Sequence, residues 1–123
     1  MGNIKIHESE YRFCLIMWEQ EPVTAVELAK LCQMRLGWKR TTTYTVIKRL
    51  AERGVLVNDH GTVTSLVSKE EAQAWEIDEL MEKKFEGSLP TFLAAFTRRQ
   101  ELSREDLDEV QRMIDRIRKG DSR

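Results

Sequence analysis

The segment from Trp38 to Gly54 constrains this chain more tightly than any other. Read as a helix, it places Thr43, Val46, Ile47 and Leu50 at i, i+3, i+4 and i+7, which is one buried face. At 100° per residue the opposite face carries Thr41, Thr45 and Lys48, flanked by Thr42, Tyr44 and Arg49. That outer surface is hydroxyls, a phenol and cations, and its one carboxylate, Glu52, falls in the last turn. A helix that merely faces solvent usually mixes its charges, with Glu and Lys paired four apart. Short hydroxyls beside Arg and Lys at a helix N-terminus suit phosphates and base edges in a DNA major groove. A Thr-rich surface helix, basic by chance, is the plainer alternative.

The flanking sequence frames this helix. Thr24 with Glu27 three residues on is a capping box, and Val23 with Leu28 is its hydrophobic staple. The helix so started carries Leu28, Ala29, Leu31 and Cys32 and ends at Leu36–Gly37, with Gly as a left-handed cap. Helix, short connection, helix makes a helix-turn-helix. Residues 8–19 predict an earlier helix with Tyr11, Cys14, Leu15 and Trp18 on one side. It stops before Glu21–Pro22, because proline disfavours helical geometry in the residue before it. After Gly54 the period becomes alternating: Val55–Val57 and Thr62–Val67 read as two strands around a turn at Asn58–Gly61. A hairpin directly after a helix-turn-helix is the wing of a winged helix.

The second half is helical throughout. Ser68 and Glu71 form another capping box, opening a helix through Trp75, Met81 and Phe85 that Gly87–Ser88 breaks. Leu89, Phe92, Leu93 and Phe96 then repeat the i, i+3, i+4, i+7 pattern. Ser103 caps a last helix, with Leu102 and Leu107 as staple, whose Leu107, Val110, Ile114 and Ile117 have the 3-4-3 spacing of a helix–helix seam. The expected fold is therefore mainly α with a small β-hairpin. Residues 1–67 are read as a winged-helix DNA-binding domain and residues 68–123 as a helical dimerisation domain. Stripes this narrow are thin cover for 56 residues, so pairing with the same tail of a second chain is expected. Folding back on the winged helix is the alternative. In a homodimer, two recognition helices related by a two-fold axis would read an inverted repeat with half-sites about 10 bp apart.

Charge agrees with a local rather than a global nucleic-acid surface. The net charge is −1, yet residues 1–67 hold nine Lys/Arg against seven Asp/Glu, and residues 68–123 hold eleven against fourteen. Six cations fall between Arg35 and Arg53, with Glu52 the sole acid among them. A chain without a basic total still binds nucleic acid when its cations share one face. No apolar run approaches the ~20 residues of a membrane span, and no signal peptide is read at the start, so a cytoplasmic protein without membrane insertion is expected. Cys14 and Cys32 lie in apolar phases and read as core thiols suited to a reducing compartment. No nucleophile–base arrangement, Gly-rich phosphate loop or metal-ligand spacing is present, His7 and His60 included. No catalytic residue, cofactor or metal is expected.

The run from Gly37 to Gly54 resembles the recognition helix of the penicillinase-repressor family, the BlaI/MecI/CopY group of bacterial winged-helix repressors. The matching features are Trp38, the Thr41-Thr42-x-x-Thr45 core, Arg49–Leu50 and the closing Arg53–Gly54. The similarity spans nearly the whole chain. It implies a C-terminal dimerisation domain and operators that are inverted repeats overlapping promoters. It also implies Thr42 and Thr45 in the groove.

Several positions depart from the family pattern. Lys39–Arg40 stand where many members have Ser-Pro, so Thr41 or Thr42 could cap the helix instead. Tyr44 replaces a common Lys or Arg, and the hairpin is short and lacks a basic tip. In the β-lactam branch a membrane sensor with metalloprotease activity triggers cleavage at Asn-Phe; the aligned pair here is Ala95–Phe96, so cleavage there or another inducing signal both remain open. For Phe96 an aromatic in a dimer core is the simpler reading. The paired C-terminal cysteines of a copper-sensing branch are absent.

The candidate DNA contacts are Thr41, Thr42, Tyr44 and Thr45 for base edges or thymine methyls and Lys39, Arg40 and Arg49 for phosphates, with His60 or backbone amides at the wing. Arg49 is equally readable as a structural ion-pair partner, and Lys48 and Arg53 read as solvated. Candidate dimer contacts are Leu89, Phe92, Leu93, Phe96, Leu107, Val110, Ile114 and Ile117. The competing functions are a helical interaction module that uses its winged helix for protein contacts, and a regulator with a small-molecule pocket between the halves.

Overall fold

The computed structural model describes residues 3–120, and the chain divides into two compact units between Glu79 and Leu80. It is mainly α with a small antiparallel sheet, a winged helix-turn-helix followed by helices. The first unit runs α1 (Glu8–Gln20), β1 (Val23–Thr24), α2 (Ala25–Leu36), α3 (Arg40–Glu52), β2 (Leu56–Asp59), β3 (Thr62–Ser65) and the opening turns of α4 (Lys69–Phe85). It reaches past Val67 because Ala72 and Trp75 of α4 pack against the same core as α1 and α3.

That core is sealed. Phe13, Met17, Leu28, Leu50, Leu56 and Val63 are all essentially inaccessible to water. The inward face of α1 differs from the expected one: Phe13, Cys14 and Met17 are fully buried, Tyr11 and Trp18 lie at the margin, and Leu15 is exposed. Phe13 to Trp18 are six consecutive apolar residues, so periodicity had little with which to choose a face. The start and stop signals of α2 act as the sequence indicates. Thr24 Oγ1 accepts the Glu27 N–H at 3.0 Å, and Gly37 closes the helix at φ 71°, where a side chain would be strained.

The wing is a three-stranded antiparallel sheet in the order β1-β3-β2. Its hairpin is tighter than the four-residue turn expected. Asp59 pairs with Thr62, leaving His60 and Gly61 as a two-residue turn with φ of 53° and 94°, the double positive φ of a type I′ connection. The Gly61 N–H donates to Asn58 Oδ1 at 2.9 Å, which closes the turn. The third strand was not legible beforehand, since Val23 and Thr24 are too few to alternate; they pair with Val63 and Thr62. Two side chains fasten this sheet to α1. The Glu21 carboxylate accepts from the Ser65 N–H at 2.7 Å and its hydroxyl at 2.8 Å, and Trp18 Nε1 donates to the Val67 carbonyl at 2.9 Å.

The second unit holds the end of α4, then α5 (Leu89–Arg99) and α6 (Arg104–Arg118). Ser88 and Ser103 cap α5 and α6 by accepting the Thr91 and Asp106 N–H groups. Phe92 meets Phe85 edge-on with centroids 5.4 Å apart, and Phe96 at 5.8 Å. Neither α5 nor α6 contains a buried residue.

Candidate nucleic-acid interface

Helix α3 is held by its apolar side and by both ends. Thr43, Val46, Ile47 and Leu50 are buried, as the spacing predicts. Before the helix begins, the Trp38 ring stacks on Phe13, with centroids 6.3 Å apart and planes within 3°. The N-cap is Lys39, whose carbonyl receives the Thr42 N–H at 3.0 Å and the Thr43 N–H at 3.3 Å. Neither Thr41 nor Thr42 caps the helix, contrary to the sequence expectation, because the backbone turns helical at Arg40, before either residue. Their hydroxyls are thus not spent on the helix end.

The outward face has almost no internal partners. Lys39, Arg40, Thr41, Thr42, Tyr44, Thr45, Lys48 and Arg49 are all exposed. Of these side chains only Thr45 makes a hydrogen bond among the described residues, back to the Thr41 carbonyl at 2.9 Å. Arg49 forms no ion pair among them, so its structural alternative finds no partner. The first turn carries no acid, although a helix N-terminus is stabilised by negative charge. Placing Lys39 and Arg40 there costs the isolated helix a little stability and concentrates positive potential where backbone N–H groups point outward, the arrangement that favours an anion. Local choices that oppose stability gather at functional sites.

Arg53, read as solvated, is instead tied down. Its Nη1 and Nη2 donate to Glu10 Oε1 and Oε2 at 2.7 and 2.8 Å, and Nη1 also reaches the Lys5 carbonyl at 3.0 Å. Glu10, 4% exposed, also accepts the His7 N–H at 2.9 Å. Burial works to raise the Glu10 carboxyl, but the Arg53 and His7 hydrogen bonds with the Arg53 charge hold it below its ordinary value. The Glu10 hydrogen bonds raise Arg53 in turn. Forty-three residues separate the pair, so no local pattern announced it.

The remaining groups are quieter. The Thr43 Oγ1 is buried without a hydrogen bond; its nearest influence is on the Cys32 thiol, which burial raises and the Thr43 hydroxyl and Arg35 charge partly lower. Burial, aided by the Glu10 charge, pushes Cys14 up to about 12. Both thiols stay protonated and buried, as unreactive core groups. At the wing, His60 is exposed and its Nδ1 lies 2.6 Å from Asp59 Oδ1. No Lys or Arg occurs between Val55 and Val67. No cluster of three or more metal-ligating side chains occurs among the described residues, and no helix among them is long and apolar enough to cross a membrane.

A profile of the penicillinase repressor matches residues 6–116, nearly the whole chain. The chain belongs to the penicillinase repressor family. It is therefore a member of a family of transcriptional repressors rather than of enzymes. None of the curated proteins compared matches it. The match takes in the Trp38–Gly54 segment and reaches through α4 and α5 into the last turn of α6. Within it, Ala95 and Phe96 lie inside α5, Ala95 half-buried and Phe96 39% exposed. The candidate dimer residues lie open on two helices: Leu89, Leu93 and Phe96 of α5 and Leu107, Val110, Ile114 and Ile117 of α6 are exposed, and Phe92 of α5 is half-buried.

Proposed function

We propose that this family member represses transcription by binding DNA as a homodimer, each protomer laying α3 in the major groove of one half of an inverted repeat. The observation that carries the reading is the outer face of α3. Seven exposed polar or charged side chains, Lys39, Arg40, Thr41, Thr42, Tyr44, Lys48 and Arg49, have no partner within the described chain. The chemistry of these groups suits a duplex: cations for phosphates, hydroxyls and Thr methyls for base edges and thymine methyls. The wing contributes little in this reading, since His60 is engaged with Asp59 and no Lys or Arg occurs between Val55 and Val67. Residues 1–67 carry recognition and residues 68–123 pairing.

The open stripes of α5 and α6 supply the reason for a second copy. Monomeric soluble proteins rarely leave long contiguous apolar faces in water, and a two-fold pair sets two α3 helices one turn of duplex apart. Proteolytic induction through a membrane sensor would act on the same feature. Cutting Ala95–Phe96 divides the α5 stripe and detaches α6, which undoes the pair.

Selection of bound duplexes from random DNA tests this reading. The expected product is an inverted repeat with half-sites about 10 bp apart, bound with affinity that falls by roughly 0.9 log units per phosphate neutralised per log unit of salt. Recovery of no duplex at low ionic strength overturns it. One observation favours a different reading, a regulator answering a small molecule. A groove of about 650 Å³ lies within the first unit between Lys5–Glu8, Tyr11 and the α4 residues Gln73, Glu76 and Ile77, within the size range of ligand pockets. Ligand-dependent shifts in melting temperature without DNA binding would favour it.

A further inference from the structure

We infer that the Glu10–Arg53 pair is a positioning device for recognition: it sets the rotation of α3 about its own axis and thereby the direction in which Thr41, Thr42 and Tyr44 point. This rests on the proposed role of α3 as the DNA-reading helix.

Glu10 and Thr43 are the two buried polar residues among the described ones, and Thr43 goes without a hydrogen bond. Glu10 by contrast accepts three hydrogen bonds. Its two oxygens receive both terminal nitrogens of Arg53 and the His7 N–H. The three donors come from two separate places: Arg53 is the C-cap of α3, and His7 is the N-cap of α1. Through the Lys5 carbonyl the same guanidinium also holds the segment preceding α1. One carboxylate thus joins the end of α3 to the beginning of α1 and to the chain leading into it.

Apolar contact and this pair constrain different motions. Val46, Ile47 and Leu50 press α3 onto the core, and such contacts are non-directional, so they resist separation better than small rotations. A bidentate guanidinium–carboxylate contact is planar and directional, and loses its geometry when either plane turns. Side-chain tips lie about 5–6 Å from a helix axis, so a twist of about 20° moves them about 2 Å. That exceeds what a hydrogen bond to a base edge tolerates, while flexible lysine and arginine stems still reach phosphates. The pair therefore governs discrimination between sequences far more than affinity for duplexes in general. At the other end of α3 the Trp38–Phe13 pair, with nearly parallel planes and centroids 6.3 Å apart, holds the entry of the helix against α1, and Arg53 supplies the directional contact at its close.

The test compares the full chain with Arg53→Lys, which keeps the charge and loses the fork, and Glu10→Gln, which keeps the shape and loses the charge. Each is titrated against the selected duplex and an unrelated duplex of equal length at one salt concentration, well below its melting temperature. The expected result is at least a tenfold fall in the ratio of the two affinities, with affinity for the unrelated duplex within twofold of the unsubstituted chain. Residual dipolar couplings of the α3 amides, measured without DNA, are expected to report a changed orientation relative to α1 in Arg53→Lys. An unchanged ratio together with unchanged couplings, whatever the loss in melting temperature, overturns the inference and leaves a merely stabilising ion pair. Should the unsubstituted chain bind no duplex while the couplings of Arg53→Lys still shift, the positioning role stands and the DNA reading fails. If Glu10→Gln does not fold, Arg53→Lys decides both measurements.

Discussion

Leu28 and Leu50 are closed off from water, whereas Leu107 is 51% exposed and Ile117 67% exposed, although all four sit on apolar stripes of similar spacing. In the first unit every such stripe meets another element of the same chain: α1, α2 and α3 close over one another and the sheet caps them. In α5 and α6 the stripes are as regular and nothing within those helices is buried. Amphipathic periodicity states that a face is to be covered; it does not state what covers it. The same contrast holds for polar groups. Thr43 is buried because it lies in the apolar phase of α3, and Thr41 and Thr42 are exposed because they do not.

The comparison yields tests of graded size. The largest effect belongs to the sealed core: Leu50→Ala should cost about 2–5 kcal/mol in urea unfolding, and a loss below about 1 kcal/mol would show the core to be less tightly packed than described. Phe96→Ala sharpens the other side. If a second copy covers α5, the substitution should weaken pairing by roughly 2 kcal/mol, a near thirtyfold rise in the dissociation constant by sedimentation equilibrium. Concentration-independent mass and melting for the unsubstituted chain would break the proposed pairing.

On the outer face of α3, Thr42→Ala should reduce affinity for a selected duplex by about 1 kcal/mol and leave the urea midpoint in place. On its inner face, Thr43→Val replaces an unpaired buried hydroxyl with a methyl of similar shape and should raise stability by about 1 kcal/mol. An unfolding midpoint that falls would mean that the hydroxyl is satisfied, with the buried Cys32 thiol as its partner.

The smallest effect appears only in acid. The Glu10 carboxyl is held below its ordinary 4.5, so the unfolded chain binds the proton first as pH falls. The contribution of the pair is complete above about 4.5 and is lost as pH drops through the lower folded value. The melting temperature of the unsubstituted chain should therefore lose its margin over Glu10→Gln below pH 4.5 and keep it at pH 7.

Much of this was legible in the sequence because it is local. Thr24 and Glu27, Ser68 and Glu71, and Ser103 each mark a helix start within four residues, and the four buried positions of α3 follow from its period alone. The family likeness was carried by the same short segment. Where local signals were degenerate or absent, expectation and structure part. The uniform apolar run of α1 hid which side faces inward, β1 was too short to alternate, and the start of α3 was ambiguous between Thr41 and Thr42, neither of which caps it.

What the sequence by itself determined is therefore the list of elements and the composition of each face, because helix period, capping and turn chemistry act over a few residues. Only the tertiary structure decided which distant groups meet: Glu10 with Arg53, Glu21 with Ser65, Trp38 with Phe13. Those encounters depend on how the chain closes on itself, and a charge or a ring carries no mark of its partner until packing brings the two together.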